Sequence, residues 1–209
     1  MKAENFFSSS EKEKIAAAIG EVEKTTAGEI AVMVVDQSDS YPEGNILAGL
    51  IPGCLMAYVL TQFSFGDSLT YFLLFLAGFF LFFFFLANRL PVLKRMFIPG
   101  NRLLEMVREQ AMQAFYEKGL HHTRDATGVL FFISLFERRL WILADEGVDS
   151  KITPDELQTY AREMAEGIRQ GRAAEILCRE ISGLGKVLAE HFPAREDDVD
   201  EISNQVIVG

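Results

Sequence analysis

The sequence predicts an α/β fold, a three-layer αβα sandwich interrupted by an inserted two-helix transmembrane hairpin. Three observations predict it. Two uncharged apolar runs, 46–65 and 69–87, stand back to back. Short continuous runs rich in β-branched and aromatic residues, 29–36 and 129–136, lie on either side of them. Segments with an apolar stripe at helical spacing accompany each of those runs.

The elements follow in chain order. Ser10 and Glu13 read as a capping box, and Ile15, Ile19 and Val22 give a stripe at i, i+4, i+7, so 11–25 is an amphipathic helix. Thr26, Ala27 and Gly28 break it. Residues 29–36, EIAVMVVD, form an uninterrupted apolar run suited to a strand buried on both faces. A turn-rich loop with Ser38, Asp39, Ser40, Pro42 and Gly44 leads to the hairpin. Beyond it, Asn101 caps a helix to about Lys118, lined by Leu104, Val107, Ala111, Ala114 and Phe115, and Gly119 stops it. A polar loop, 121–128, precedes the second strand at 129–136. Glu137, Arg138 and Arg139 turn the chain, and 140–144 returns as a third strand. Thr153, Pro154 and Glu156 mark a helix start, with Leu157, Ala161, Met164 and Ile168 inward and Gly171 at its end. A last helix covers 172–191, with Ile176, Leu177, Ile181, Leu184 and Leu188 inward, Gly183 and Gly185 weakening its centre, and Pro193 closing it. The order α-β-hairpin-α-β-β-α-α places a small sheet between helices.

Each uncharged run has about 20 residues, the length at which a helix crosses a hydrocarbon core of ~30 Å. The second is nearly all Phe and Leu. The first carries Gly49, Pro52, Gly53, Thr61 and Gln62, and Pro52 is expected to kink it. The resulting organisation is residues 1–45 as the first part of the soluble domain, 46–88 as the hairpin, 89–195 as the second part and 196–209 as an acidic flexible tail. About 165 residues remain outside the hairpin, a normal size for one domain. Gly49 and Gly53 form a small-xxx-small pair, a contact between the two spans or between subunits.

Arg89, Lys94, Arg95 and Arg102 follow the second span, whereas the connecting loop has no Lys or Arg and one acid, Asp67. The positive-inside rule therefore puts both termini in the cytoplasm and the chain in the inner or plasma membrane as a two-span protein. The first residues lack the apolar core and cleavage site of a secretory signal. Cys54 lies inside a span and Cys178 in a soluble helix, so no disulfide is expected and both read as inert buried thiols. With 30 acids against 20 Lys and Arg the net charge is −10, which argues against a nucleic-acid partner. The expected partners are the lipid bilayer and a membrane protein or a second copy.

Several phrases carry a family resemblance. Thr26-Ala27-Gly28-Glu29-Ile30-Ala31-Val32 enters the first strand, and Asp125-Ala126-Thr127-Gly128-Val129-Leu130 enters the second. Ile142-Leu143-Ala144-Asp145-Glu146-Gly147-Val148, Ile152-Thr153-Pro154 and Arg169-Gln170-Gly171 continue the pattern. The chain resembles the TPM domain family, often labelled a phosphatase family, as a membrane-anchored bacterial-type member with the hairpin inserted in the domain. The resemblance implies an αβα sandwich, frequent divalent-metal binding and membrane association, with phosphatase activity in some members and accessory roles on membrane complexes in others. It makes Asp125 the acid just before the second strand. The family's second acid, near the end of the third strand, falls here on Leu143, and Asp145 and Glu146 come just after it.

The residues themselves name no catalytic group. Cys178 is followed by Arg179 but opens no Cys-x5-Arg loop, no Asp-x-Asp-x-Thr follows a strand, and there is no Gly-rich phosphate cradle. A hydrolase would therefore have to be built from carboxylates and a metal. Candidate ligands for Ca²⁺, Mg²⁺ or Mn²⁺ are Asp36 and Asp39 after the first strand, Asp125 before the second, and Asp145 and Glu146, with Asp149 beyond, after the third. They converge if the first and third strands end on one edge; otherwise they are ordinary turn acids. His121 and His122 read as turn residues or metal ligands, and Trp141 as a packing residue or a ligand platform. No organic cofactor is indicated. Two functions stay open: a cytoplasm-facing interaction or regulatory module, with or without a bound divalent metal, and a metal-dependent phosphatase acting on phosphomonoesters.

Overall fold

The computed structural model describes residues 2–64, 66, 68–123, 125–194 and 202–209. The expected loop acid Asp67 and the acidic run 196–201 lie outside these residues, as do Arg124 and Arg195. The chain divides into two units, Met1–Ser38 with Glu105–Gly209, and Asp39–Leu104.

The first unit is built on a four-stranded sheet. β1 (Glu29–Val35), β2 (Gly128–Ser134), β3 (Arg139–Ala144) and β4 (Ile207–Val208) stand in the order β3-β2-β1-β4. β1 pairs parallel with β2 from Glu29↔Gly128 to Val35↔Ser134. β3 runs antiparallel to β2, from Val129↔Ala144 to Ser134↔Arg139. Every residue of β1 and β2 is buried, as their continuous apolar sequences require.

Alternate side chains go to opposite faces. Ile30, Val32, Val34, Val129, Phe131, Ile133, Leu140 and Ile142 share a core with α1 (Ser9–Glu23), α7 (Pro154–Arg169) and α8 (Ala173–His191). Ala31, Met33, Val35, Leu130 and Phe132 pack against Val107, Ala111, Ala114 and Phe115 of α5 (Gly100–Glu117), and Trp141 is partly buried beside them as a packing residue. The three layers are those expected from the sequence.

Several details differ. α1 is capped by Ser8, whose hydroxyl accepts from the Glu11 N–H at 3.3 Å while the Ser8 N–H donates to Glu11 Oε2 at 2.8 Å. The Ser-x-x-Glu spacing occurs at both Ser8 and Ser10, and the earlier cap leaves Phe7 just outside the helix, buried in the core. Leu104 of α5 is exposed, and Leu103 is buried in its stead. The expected flexible tail contains an edge strand: β4 pairs parallel with Met33 and Val34 of β1. Two residues are too few to show a period, so the sequence carried no strand signal there.

The β2–β3 turn holds a buried carboxylate. Glu137 is fully buried; its Oε1 accepts from the Ser38 N–H at 2.8 Å and its Oε2 from the Ser134 hydroxyl, which is 3.0 Å from the Ser38 hydroxyl. One side chain thus ties the chain leaving β1 to the end of β2.

In the second unit, α2 (Pro42–Ser64) and α3 (Leu69–Arg89) form an antiparallel pair, followed by α4 (Pro91–Met96). α2 runs as helix through Pro52. A Cβ at Gly49 would lie 3.0 Å from the Phe80 ring and one at Gly53 3.0 Å from the Phe80 backbone nitrogen, so the small-xxx-small pair is the contact between these two helices. The Thr61 hydroxyl donates to the Ala57 carbonyl at 2.8 Å, which satisfies a polar group within the helix. At the base, Asn45 donates to Asn88 at 2.9 Å.

Glu137→Ala should cost about 2 kcal/mol, because a buried N–H and a hydroxyl lose their acceptor. Glu146→Ala, on an exposed residue, should change stability by less than about 0.5 kcal/mol. Urea unfolding followed by circular dichroism compares the two; equal midpoints would remove Glu137 as the tie.

Candidate functional site

Strand direction decides where the candidate acids stand. Because β3 is antiparallel to β1 and β2, the carboxyl end of β1 and the carboxyl end of β3 lie at opposite edges of the sheet. The condition for first-strand and third-strand acids to converge, strands ending on one edge, is therefore not met. Asp125, Asp145 and Glu146 share the edge where β1 and β2 begin; Asp36 follows β1 at the other.

The first-strand acids are engaged elsewhere. Asp36 Oδ1 accepts from the Ala3 N–H at 2.5 Å. Asp39 belongs to the second unit, where its Oδ2 pairs with Arg102 at 3.1 Å, and Arg102 also reaches Glu43 at 3.5 Å. A guanidinium beside the carboxylate competes with any metal cation for it.

At the other edge, Asp145 caps the short helix α6 (Glu146–Asp149), accepting from the Glu146 N–H at 2.9 Å. The Gly147 N–H donates to the Ala126 carbonyl at 3.0 Å. A Cβ on Gly147 would lie 2.5 Å from the carbonyl oxygens of both Asp125 and Ala126, so only glycine lets α6 close on the 125–126 loop. Ala126 itself has a left-handed φ of 54°, a backbone conformation disfavoured for a residue with a Cβ. Asp149 is pushed above the ordinary carboxylate range by partial burial of its carboxyl and then by the Asp145 charge. The second carboxylate oxygen of Asp145 is buried without a hydrogen-bond partner among the described residues.

This edge offers hard oxygen donors, the type that Ca²⁺ and Mg²⁺ take. Among the described residues no group of three or more His, Cys, Asp or Glu is gathered closely enough to hold an ion. His121 and His122 close a 3-10 turn, Leu120–His122, with their rings 3.8 Å apart and His121 against Tyr116 at 4.9 Å. Both ring contacts are tilted, at interplanar angles of 58° and 49°.

The remaining chemistry is structural. The Thr26 hydroxyl donates to the Phe192 carbonyl at 2.7 Å and accepts from the Gly28 N–H at 3.1 Å, and the Thr127 hydroxyl donates to the Ala27 carbonyl at 2.8 Å. These contacts fasten the starts of β1 and β2 to each other and to the end of α8. Burial pushes the Cys178 thiol up, which disfavours its thiolate form. Glu137 was read from the sequence only as a turn residue, although Ser134-x-x-Glu137 repeats the Ser-x-x-Glu spacing seen at Ser8 and at Thr153 of α7.

Asp145→Asn should bring the Asp149 pKa down toward its ordinary value, read from the carboxyl chemical shift in an NMR titration. The sign for stability follows. A carboxylate whose folded pKa is raised makes the protein gain stability as pH falls through that folded value, and Asp145→Asn should shrink the gain. An unmoved Asp149 titration would separate the two carboxylates.

The family model described as the TPM domain matches residues 100–178, which take in α5, β2, β3, α6, α7 and the start of α8. No curated protein matches the chain. Among solved structures, the NMR structure of the BA42 protein from the psychrophilic bacterium Bizionia argentinensis is similar with a TM-score of 0.61 at 20% identity. The match covers 98% of this chain and 96% of that one, and at this identity it shows a shared fold. The matched segment holds the loops around Asp125 and Asp145, and over residues 100–178 the chain is similar to the TPM domain.

Proposed function

We propose that the chain is a membrane-anchored TPM domain, held by α2 and α3, that works as a cytoplasm-facing interaction or regulatory module. The observation that carries the reading is the exposure of the two helices. Both are long and apolar enough to cross a membrane, and the apolar window of α2 is 28% buried and that of α3 is 0% buried. A core helix of a soluble protein passes the same length and composition test only with its surface covered. Ile51, Leu55 and Phe63 on α2 and Leu74, Phe82 and Phe85 on α3 face outward. That much contiguous apolar surface is untenable in water and ordinary in lipid. Arg89, Lys94, Arg95 and Arg102 beyond α3 favour cytoplasmic termini.

The module reading is preferred to hydrolysis because the candidate acids are divided between sheet edges. Metal-dependent phosphomonoester hydrolysis is the second reading, favoured by the family label and by Asp125, Asp145 and Asp149 at one edge. A divalent cation there belongs to either reading, as an electrostatic partner of Asp145 and Asp149.

Two measurements test the proposal. In native membranes the chain should stay in the pellet through an alkaline carbonate wash; release into the supernatant would end the anchor reading. The purified full chain should release no phosphate from an aryl phosphate with Mg²⁺, Mn²⁺ or Ca²⁺. Metal-dependent turnover that is lost in Asp125→Asn would replace the module with the phosphatase.

A further inference from the structure

The helix that follows the hairpin is inside out for a helix in water. Leu90 leaves α3 with an extended backbone, φ −118° and ψ 91°, and Pro91 opens α4 at its first turn. Val92 and Met96, four residues apart, lie on one helix face. They are 64% and 75% exposed, with Leu90 at 50% beside them. Lys94, two residues from each, lies on the opposite face and is only 9% exposed. Its ammonium donates to the Ser40 carbonyl and stands 6.0 Å over the ring of Tyr41, which is fully buried with a left-handed φ of 44°. Gly44 of α2 makes room for this packing: a Cβ there would lie 3.2 Å from Lys94 Cγ and 2.8 Å from Ile98.

An aqueous surface helix points its Lys outward and its Val and Met inward. Here a cation is held inside by a carbonyl and an aromatic ring while the branched and thioether side chains are put outside. The surroundings that favour this arrangement are apolar on the Val92–Met96 side. The exposed Arg89, the last residue of α3, adds a cation at the same level. A side chain of that length and charge reaches lipid phosphates from a helix end.

We infer that α4 is an interfacial foot, with Leu90, Val92 and Met96 seated in the headgroup–acyl boundary of the bilayer that α2 and α3 cross. The inference rests on the anchor reading, because covalent continuity with α3 is what brings α4 to that layer. Interfacial segments of this kind bury their apolar face by ~5–10 Å. The burial is shallow, so depth distinguishes it from the spans.

The test uses the full chain in phosphatidylcholine vesicles whose acyl chains are brominated either near the glycerol or near the chain end. Val92→Trp and, as a hairpin control, Leu74→Trp are each placed in a Trp141→Phe background. If that background fails to fold, the same variants keep Trp141 and the added emission is read by difference from the parent. The account expects Leu74→Trp to lose emission to the deep bromines, and Val92→Trp to be blue-shifted and quenched by the shallow ones. Quenching of Leu74→Trp with a red, unquenched Val92→Trp would overturn the foot while leaving the anchor. A blue, unquenched Val92→Trp beside a quenched Leu74→Trp would also overturn it, since a second copy or another protein then covers the face. Loss of quenching at both positions would overturn the foot together with the anchor.

Discussion

Everything in the first unit depends on the parallel pairing of β1 with β2. The seven residues of each strand are buried, and the two strands are separated in sequence by both apolar helices, α4 and α5. Closing so long a connection costs conformational entropy, though the cost grows only slowly with length. A continuous apolar sequence on both strands offsets it, because every side chain finds a core whichever face it takes. The hydroxyls of Thr26 and Thr127 and the carboxylate of Glu137 then fasten the two ends of the pair through hydrogen bonds to backbone and side chain. A long insertion can sit between such strands because the pairing makes no demand on the connection beyond its ends.

Much of this could be read from the residues. EIAVMVV gives a buried strand by composition, Thr153-Pro154-Asp155-Glu156 gives a helix start by chemistry, and Ile176, Leu177, Ile181, Leu184 and Leu188 give an inner face by period. The first capping box was ambiguous because two serines, Ser8 and Ser10, each precede a glutamate at the same spacing, and tertiary burial of Phe7 settles which one is used. β4 was illegible because Ile207 and Val208 are strand only by virtue of the edge of β1 that they meet.

The site was less legible for a different reason. Sequence position told that Asp36, Asp125 and Asp145 stand at strand ends, but which ends share an edge depends on strand direction, a tertiary property. The antiparallel return of β3 brings Asp145 back to Asp125 and takes it away from Asp36. Asp39 was legible as a loop acid; its pairing with Arg102 required knowing that the start of α5 comes beside the start of α2 within the hairpin unit. The phrases that carry the family resemblance turn out to be rich in fastening contacts, so their presence speaks to the fold more than to chemistry.

The most direct test of the account replaces residues 39–98 with a short Gly/Ser linker and asks whether what remains still folds. If β1 and β2 pair through their own buried surfaces, the shortened chain should be soluble, show both helix and strand by circular dichroism, and unfold in one cooperative urea transition. A chain that is insoluble in the absence of detergent, or that unfolds without cooperativity, would show that the sheet depends on the apolar helices and would contradict the account.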